Sequence, residues 1–245
     1  MAKEFKKINI KMEKTTKIDT IRHSLSHLMS MAVQELYPQV GLGVGPAIEN
    51  GFYQDYDLPE VITPEILPKL ERRMRELIKE NIKFEQHDVD FDEAYKFYKH
   101  DPYKTGFIDD LKTAGEKKVS FYKSGWFDNL CAGPHVMRTG NIGAFRLTNV
   151  ASAYYKGDEK NPQLQRIYGT AFKNKTELEA YFKMLDEAKR RDHRKIGQEM
   201  GLYTIDADFT GPGLPLWLPK GGAIVEELEK LAKETEFLAG YVRVK

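Results

Sequence analysis

A single cysteine in 245 residues has no partner within the chain, so no internal disulfide framework organises this protein. Cys131 is then a buried apolar filler, a reactive thiol or a metal ligand. Long apolar runs are missing as well. Nothing approaches the ~20 residues that cross a bilayer, and the start, Met1-Ala2-Lys3-Glu4-Phe5-Lys6-Lys7, lacks the apolar stretch of a secretory signal. No membrane partner is expected, and the expected location is cytoplasmic. Net charge is scarce too: 38 Lys and Arg stand against 37 Asp and Glu, a sum of +1, which excludes a chain that coats DNA by bulk electrostatics. Internal repeats and low-complexity tracts are also absent. What is present, 41% hydrophobic residues and 31% charged ones, suffices to bury the core of one large domain with an appendage, or of two modest domains.

The periodicities divide the chain into an N-terminal arm over 1–18, a main domain over 19–174, a linker helix over 175–200 and a different composition over 201–245. Within the arm, Ile8 to Met12 alternate weakly. Asp19 reads as an N-cap, and Ile21, Leu25, Leu28, Met29, Ala32 and Leu36 then recur at helical spacing until Pro38. The aromatic alternation Gly51-Phe52-Tyr53-Gln54-Asp55-Tyr56 predicts a strand, Thr63-Pro64-Glu65 opens a helix to about Asn81, and Phe84–Asp90 and Lys118–Tyr122 predict further strands around a short helix from Asp92 to His100. Strands and loops fill the sequence to Phe172. Lys175 to Glu199 predicts one long charged helix, and Ala223 to Leu238 a last one. The fold class is α+β, with helices packed on a largely antiparallel sheet.

His23 and His27 stand four apart, one turn on one helix face. That face also carries Ser30 and Gln34, neutral hydrogen-bonding groups where a solvated face usually carries Lys and Glu. Cys131-Ala132-Gly133-Pro134-His135 sets a thiol and an imidazole four apart across a Gly-Pro turn. Together these four match a zinc inventory, although the loop spacing is unlike a knuckle. Gly41, Gly43 and Gly45 do not form a dinucleotide fingerprint, because a helix precedes them and Pro46 follows; a tight turn beside a pocket is the better account. The run Lys189-Arg190-Arg191 with Arg194-Lys195 is either a solvated helix face or a phosphate contact.

The stretches Ile21-Arg22-His23-Ser24-Leu25-Ser26-His27-Leu28-Met29, Gly45-Pro46-Ala47-Ile48-Glu49-Asn50-Gly51-Phe52-Tyr53 and Cys131-Ala132-Gly133-Pro134-His135-Val136 resemble the second additional domain of threonyl-tRNA synthetases. So do Arg166-Ile167-Tyr168-Gly169-Thr170-Ala171-Phe172 and Arg191-Asp192-His193-Arg194-Lys195-Ile196-Gly197, which separate the threonyl enzymes from alanyl ones sharing the His and Cys pairs. The resemblance runs from about residue 20 to the end. It implies an editing domain that hydrolyses serine wrongly esterified to threonine tRNA, with 201–245 as the beginning of a class II synthetase core. The ATP-binding signatures of that core do not occur after Gly211, so ATP belongs to the missing core and this chain alone is not expected to ligate threonine.

The resemblance further implies a catalytic set of His23, His27, Lys104, Cys131 and His135, with His23 activating water and Lys104 positioning it or supporting an oxyanion. For the substrate it implies Asn129 near the amine, with Asp128 beside it; Tyr154 and Tyr155 either meet the incoming tRNA end, where bases stack on rings, or are core residues. The family usually carries aspartate where this chain has Asn129; Asp128, Asp55 or Asp57 would have to substitute for its charge. No cofactor is expected for editing and no catalytic metal, zinc on His23, His27, Cys131 and His135 being the alternative. The rival readings are an alanyl-type zinc-dependent deacylase acting in trans, a catalytically silent tRNA-binding module and a metal-stabilised structural module.

Overall fold

The computed structural model describes residues 17–206, 208–211, 213–242 and 244. Residues 1–16 of the predicted arm, including Ile8 to Met12, lie outside them, and its last two, Lys17 and Ile18, belong to the first helix. Helix α1 (Lys17–Leu36) is followed by strands β1 (Gly41–Leu42), β2 (Ala47–Ile48) and β3 (Gly51–Asp57), a 3-10 turn at Pro64–Ile66 and helix α2 (Leu67–Lys79). Then come β4 (Phe84–Val89), α3 (Phe91–Phe97), α4 (Pro102–Thr113), β5 (Val119–Ser124), β6 (Phe127–Leu130), β7 (Ala144–Tyr154) and β8 (Gln163–Phe172). Every strand pair in this part is antiparallel. The larger sheet runs β1-β3-β8-β7 with β2 also on β3, and a second sheet runs β4-β5-β6. The fold is therefore α+β, as the patterning predicts.

α1 is less amphipathic than its leucine stripe suggests. Leu25, Leu28, Met29, Met31, Ala32 and Val33 are buried, and so are Ser24, Ser26, His27 and Ser30 on the other faces. The serines make this possible because each returns its hydroxyl to the helix: Ser24 donates to the Thr20 carbonyl at 2.8 Å, Ser26 to His23 at 2.7 Å and Ser30 to Ser26 at 3.0 Å. Each fully buried leucine or phenylalanine in this core contributes about 1.5–3 kcal/mol of burial free energy. Asp19 does not cap the helix. It lies inside α1, which starts at Lys17, and pairs with the buried guanidinium of Arg22 at 3.4 Å.

Two neighbouring strands of the larger sheet meet closely where Phe52 and Gly169 pair across β3 and β8. A Cβ at Gly169 would run into the Phe52 ring, and Phe52 is fully buried. Gly169→Ala is expected to destabilise the domain by about 1–3 kcal/mol through overpacking. A urea titration showing an unchanged midpoint would contradict this account of the contact.

α4 escapes the periodicity reading, although its signals are present. Pro102 occupies its first turn, and Asp101 caps it by accepting the Tyr103 and Lys104 amides at 3.0 and 3.1 Å. The long helix predicted from Lys175 to Glu199 is two: α5 (Lys175–Arg190) and α6 (His193–Glu199). Asp192 interrupts it by leaving helical geometry and accepting the Arg194 amide at 2.9 Å, which starts the next helix. The first compact unit ends at Glu179 and the second begins at Ala180, inside α5. In the second unit β9 (Tyr203–Ile205) pairs with β10 (Pro215–Trp217), and α7 (Pro219–Leu238) follows with Ile224, Leu228 and Leu231 exposed. No helix among the described residues is long and apolar enough to cross a membrane.

Candidate active site

α1, α4 and the segment after β6 bring His23, His27, Lys104 and Cys131 to one cavity of about 170 Å³, also lined by Gly43, Val44, Gly45, Gln54, Phe107, Asn129 and Leu130. His135 closes the cluster from behind: its ring centroid lies 4.3 Å from that of His23 and 4.1 Å from that of His27. One ligating atom from each of His23, His27, Cys131 and His135 falls within 4.8 Å of the others. The glycines of the loop let backbone approach, since a Cβ at Gly45 would overlap the Gln54 side chain.

The hydrogen bonds order the imidazoles. Ser24 Oγ gives its hydrogen to the Thr20 carbonyl and accepts the Val136 amide at 3.0 Å, so the 3.1 Å contact with His135 Nδ1 is an N–H donated by the ring. His135 Nε2 is then an unprotonated nitrogen facing Cys131 Sγ at 3.3 Å. His23 Nε2 meets the same sulfur at 3.3 Å, and the Gly133 amide donates to it, also at 3.3 Å. His27 Nδ1 is buried without a partner.

Burial dominates the protonation states. It lowers the pKa of His23, against a hydrogen bond to the Pro134 backbone that raises it. It holds His27 well below the ordinary 6.5, assisted by His135, His23 and Lys104, and pushes His135 down to about 2. Burial also raises the Cys131 thiol, offset partly by the Gly133 amide and Lys104. Lys104, only 4% exposed, is lowered to about 8, with Asp101 and Cys131 opposing the shift. The cavity thus holds neutral imidazoles able to accept a proton from water, beside a buried ammonium.

The other residues singled out in the sequence are dispersed. Asn129 is buried and lines the cavity. Asp128, its neighbour on β6, points away as strand alternation requires and meets His87 Nε2 at 3.3 Å. Asp55 is held by Arg166 at 2.6 and 2.9 Å, and Asp57 accepts the Tyr103 hydroxyl at 2.9 Å. None of the three aspartates stands in for the charge that Asn129 lacks, because each faces elsewhere. Tyr155 donates its hydroxyl to the Tyr103 carbonyl at 3.2 Å and sets its ring edge-on against Tyr103 and Phe107, whereas Tyr154 is 44% exposed. Arg190 and Arg191 share Glu187, and Arg194 pairs with Asp192, so much of the basic run is neutralised locally. Gln54, Phe107 and Tyr98 escape the sequence reading. Recognising α4 would have found Phe107, one turn beyond Lys104.

Comparison with known proteins agrees with this architecture. The model of the threonyl and alanyl tRNA synthetase second additional domain matches residues 119–168, which include Asn129, Cys131 and His135. A threonine–tRNA ligase of Clostridium tetani is 50% identical over 228 residues, 92% of this chain and 35% of its own length. Over nine-tenths of its length the chain is thus similar to threonine–tRNA ligases. Threonine–tRNA ligases of Clostridium botulinum and Deinococcus deserti are each 48% identical over 228 residues, covering 93% and 90% of this chain and 35% of their own length. The chain therefore spans about a third of the length of these curated relatives.

Proposed function

We propose that this domain hydrolyses the ester joining serine to the acceptor end of threonine tRNA. The observation that carries the reading is the small cavity in which His23, His27, Cys131 and Lys104 converge. At about 170 Å³ it falls below the ~300–1,000 Å³ of ordinary ligand pockets and suits one small acyl group. A missing methyl yields only ~10- to 200-fold discrimination at a synthetic site, so serine entering a threonine pocket calls for a second site that admits the smaller ester and excludes the larger.

His23, neutral because buried and open to the cavity, takes the proton from the attacking water. The Lys104 ammonium stabilises the charge that develops on the acyl oxygen. The ester is already activated, so no covalent intermediate on Cys131 is required, and burial keeps that thiol protonated. The donor set of His23, His27, Cys131 and His135 is one that zinc accepts, and zinc held there would acidify a water. Lys104 in the same cavity opposes a dication, which favours metal-free hydrolysis. Tyr155 lies against Phe107 at the cavity wall, and Tyr154, exposed beside it, offers a ring to the terminal bases. The parent activity would be the ATP-dependent joining of threonine to its tRNA, in the cytoplasm.

The test is deacylation of seryl- and threonyl-esterified threonine tRNA. Release of serine alone, resistant to chelator and reduced at least ~100-fold in His23→Ala, is expected. Loss of activity on chelation would move the assignment to the alanyl-type zinc mechanism. Binding of tRNA without release of either amino acid would leave a silent tRNA-binding module.

A further inference from the structure

The Asn129 side chain is held in one orientation. Tyr98, just past the end of α3, accepts the Leu130 amide at 2.7 Å and lies 2.9 Å from Asn129 Oδ1. With its lone pair engaged by Leu130, the phenol directs its single hydrogen to Asn129, so the carboxamide oxygen must face Tyr98. The ring is fixed in turn by stacking on Phe121, at 5.7 Å between centroids. The group that Asn129 has left for the cavity is its NH2, a donor. An aspartate in the same place would accept from Tyr98 with one oxygen and offer the other, charged, to an ammonium.

Among the described residues, no aspartate or glutamate lines the cavity. The nearby carboxylates are engaged elsewhere: Asp101 caps α4 and accepts the Leu42 amide at 3.2 Å, Asp128 faces His87 on β4, and Asp55 is held by Arg166. From α4 the cavity receives the Lys104 ammonium, from α1 the imidazoles of His23 and His27, and from the segment after β6 the Cys131 thiol backed by His135. Gln54 donates its Nε2 to the Gly43 and Asp55 carbonyls at 3.0 and 3.2 Å, which leaves its Oε1 as an uncharged acceptor. A donor from Asn129 and an acceptor from Gln54 fit a group that both accepts and donates. A neutral amine or a hydroxyl does so; an ammonium only donates, and it is repelled by Lys104.

We propose that Tyr98 locks Asn129 with its NH2 toward the cavity, so that this site takes an ester whose α-substituent is uncharged, a neutral amine or a hydroxyl, and rejects the α-ammonium. The inference rests on the deacylase reading above and specifies its substrate. Tyr98 is a positioning residue acting through Asn129.

The experiment compares seryl-esterified threonine tRNA with its 2-hydroxy counterpart, made by deaminating the same seryl ester with nitrous acid. Enzyme-borne ionisations affect both esters alike, so the difference between their profiles isolates the substrate amine. Between pH 6 and 7.5, kcat/KM for the seryl ester is expected to rise about tenfold per pH unit relative to that for the hydroxy ester, since an α-amino group titrates near ~7.7–8.0. Asn129→Asp should erase that relative slope and lower kcat/KM for the hydroxy ester at least ~10-fold, mainly through KM. Tyr98→Phe, which frees the carboxamide to turn, should shift the slope in the same direction; if it fails to fold, Asn129→Asp decides. Matching profiles for the two esters, or a slope that survives Asn129→Asp, overturn this inference while the deacylase reading stands. Cleavage of neither ester overturns both.

Discussion

Replacing Lys104 with methionine will make the domain more stable at pH 7 while removing most of the proposed ester hydrolysis. The ammonium is almost completely buried and its pKa falls from 10.5 to about 8. That difference corresponds to roughly 3 kcal/mol by which the fold disfavours the charged form. The unfolded chain binds a proton up to about 10.5 and the folded one only to about 8, so the destabilisation is complete below pH 8 and is relieved as pH rises between the two values. Methionine keeps the stem's volume and its packing around Tyr98, whose ring lies 6.0 Å from Nζ. Urea unfolding of Lys104→Met should therefore show a gain approaching 3 kcal/mol at pH 7 that vanishes toward pH 10.5. A destabilised variant would mean that Asp101 and Cys131 hold the ammonium more strongly than burial opposes it. The accompanying loss of rate, about 10²- to 10³-fold, measures the charge stabilisation Lys104 supplies. A native-like rate in a stabilised protein would remove it from the mechanism.

A second large effect is expected on acidification. His27 stays neutral well below 6.5 and His135 does so down to about 2, because charging either ring would place a cation in the buried cluster beside the other imidazoles. In the unfolded chain both protonate at about 6.5. Below that pH the unfolded state binds more protons, so stability is intact above 6.5 and falls as pH falls toward the folded values. Between pH 6.5 and 5 the loss from His135 alone should reach about 2 kcal/mol, and His27 adds to it in the same direction, before most carboxylates titrate. Urea midpoints measured across this window test it directly. His27→Leu, which removes one of the two groups, should reduce the slope; an undiminished slope would place the proton uptake elsewhere.

The two effects share one cause, which bears on how such a site is maintained. Three imidazoles, a thiol and an ammonium are taken out of water; in the proposed mechanism this keeps one histidine a base and sets a lysine beside the developing oxyanion. Each is a cost to the fold that the surrounding hydrophobic core offsets. That core is built from the helix that carries two of the histidines. Leu25, Leu28 and Met29 seat α1, and the positions of His23 and His27 follow from that seating.

The sequence by itself determined a good deal here. The apolar period of α1, the aromatic alternation of β3, the single cysteine and the lack of long apolar runs specify an α+β domain without internal disulfides, because these are local properties of the chain. The two pairs, His23 with His27 and Cys131 with His135, are also visible as local spacings. Their juxtaposition is not. Cys131 meets His23 across 108 residues, and only the packing of α1 against the turn after β6 decides that. Lys104 joins them because Asp101 and Pro102 begin a helix whose one buried face also carries Ile108. The tertiary structure also decided what Asn129 offers. Its identity is written in the sequence, but which end of its amide faces the cavity is set by a tyrosine 31 residues away that has one hydrogen to give and one place to give it.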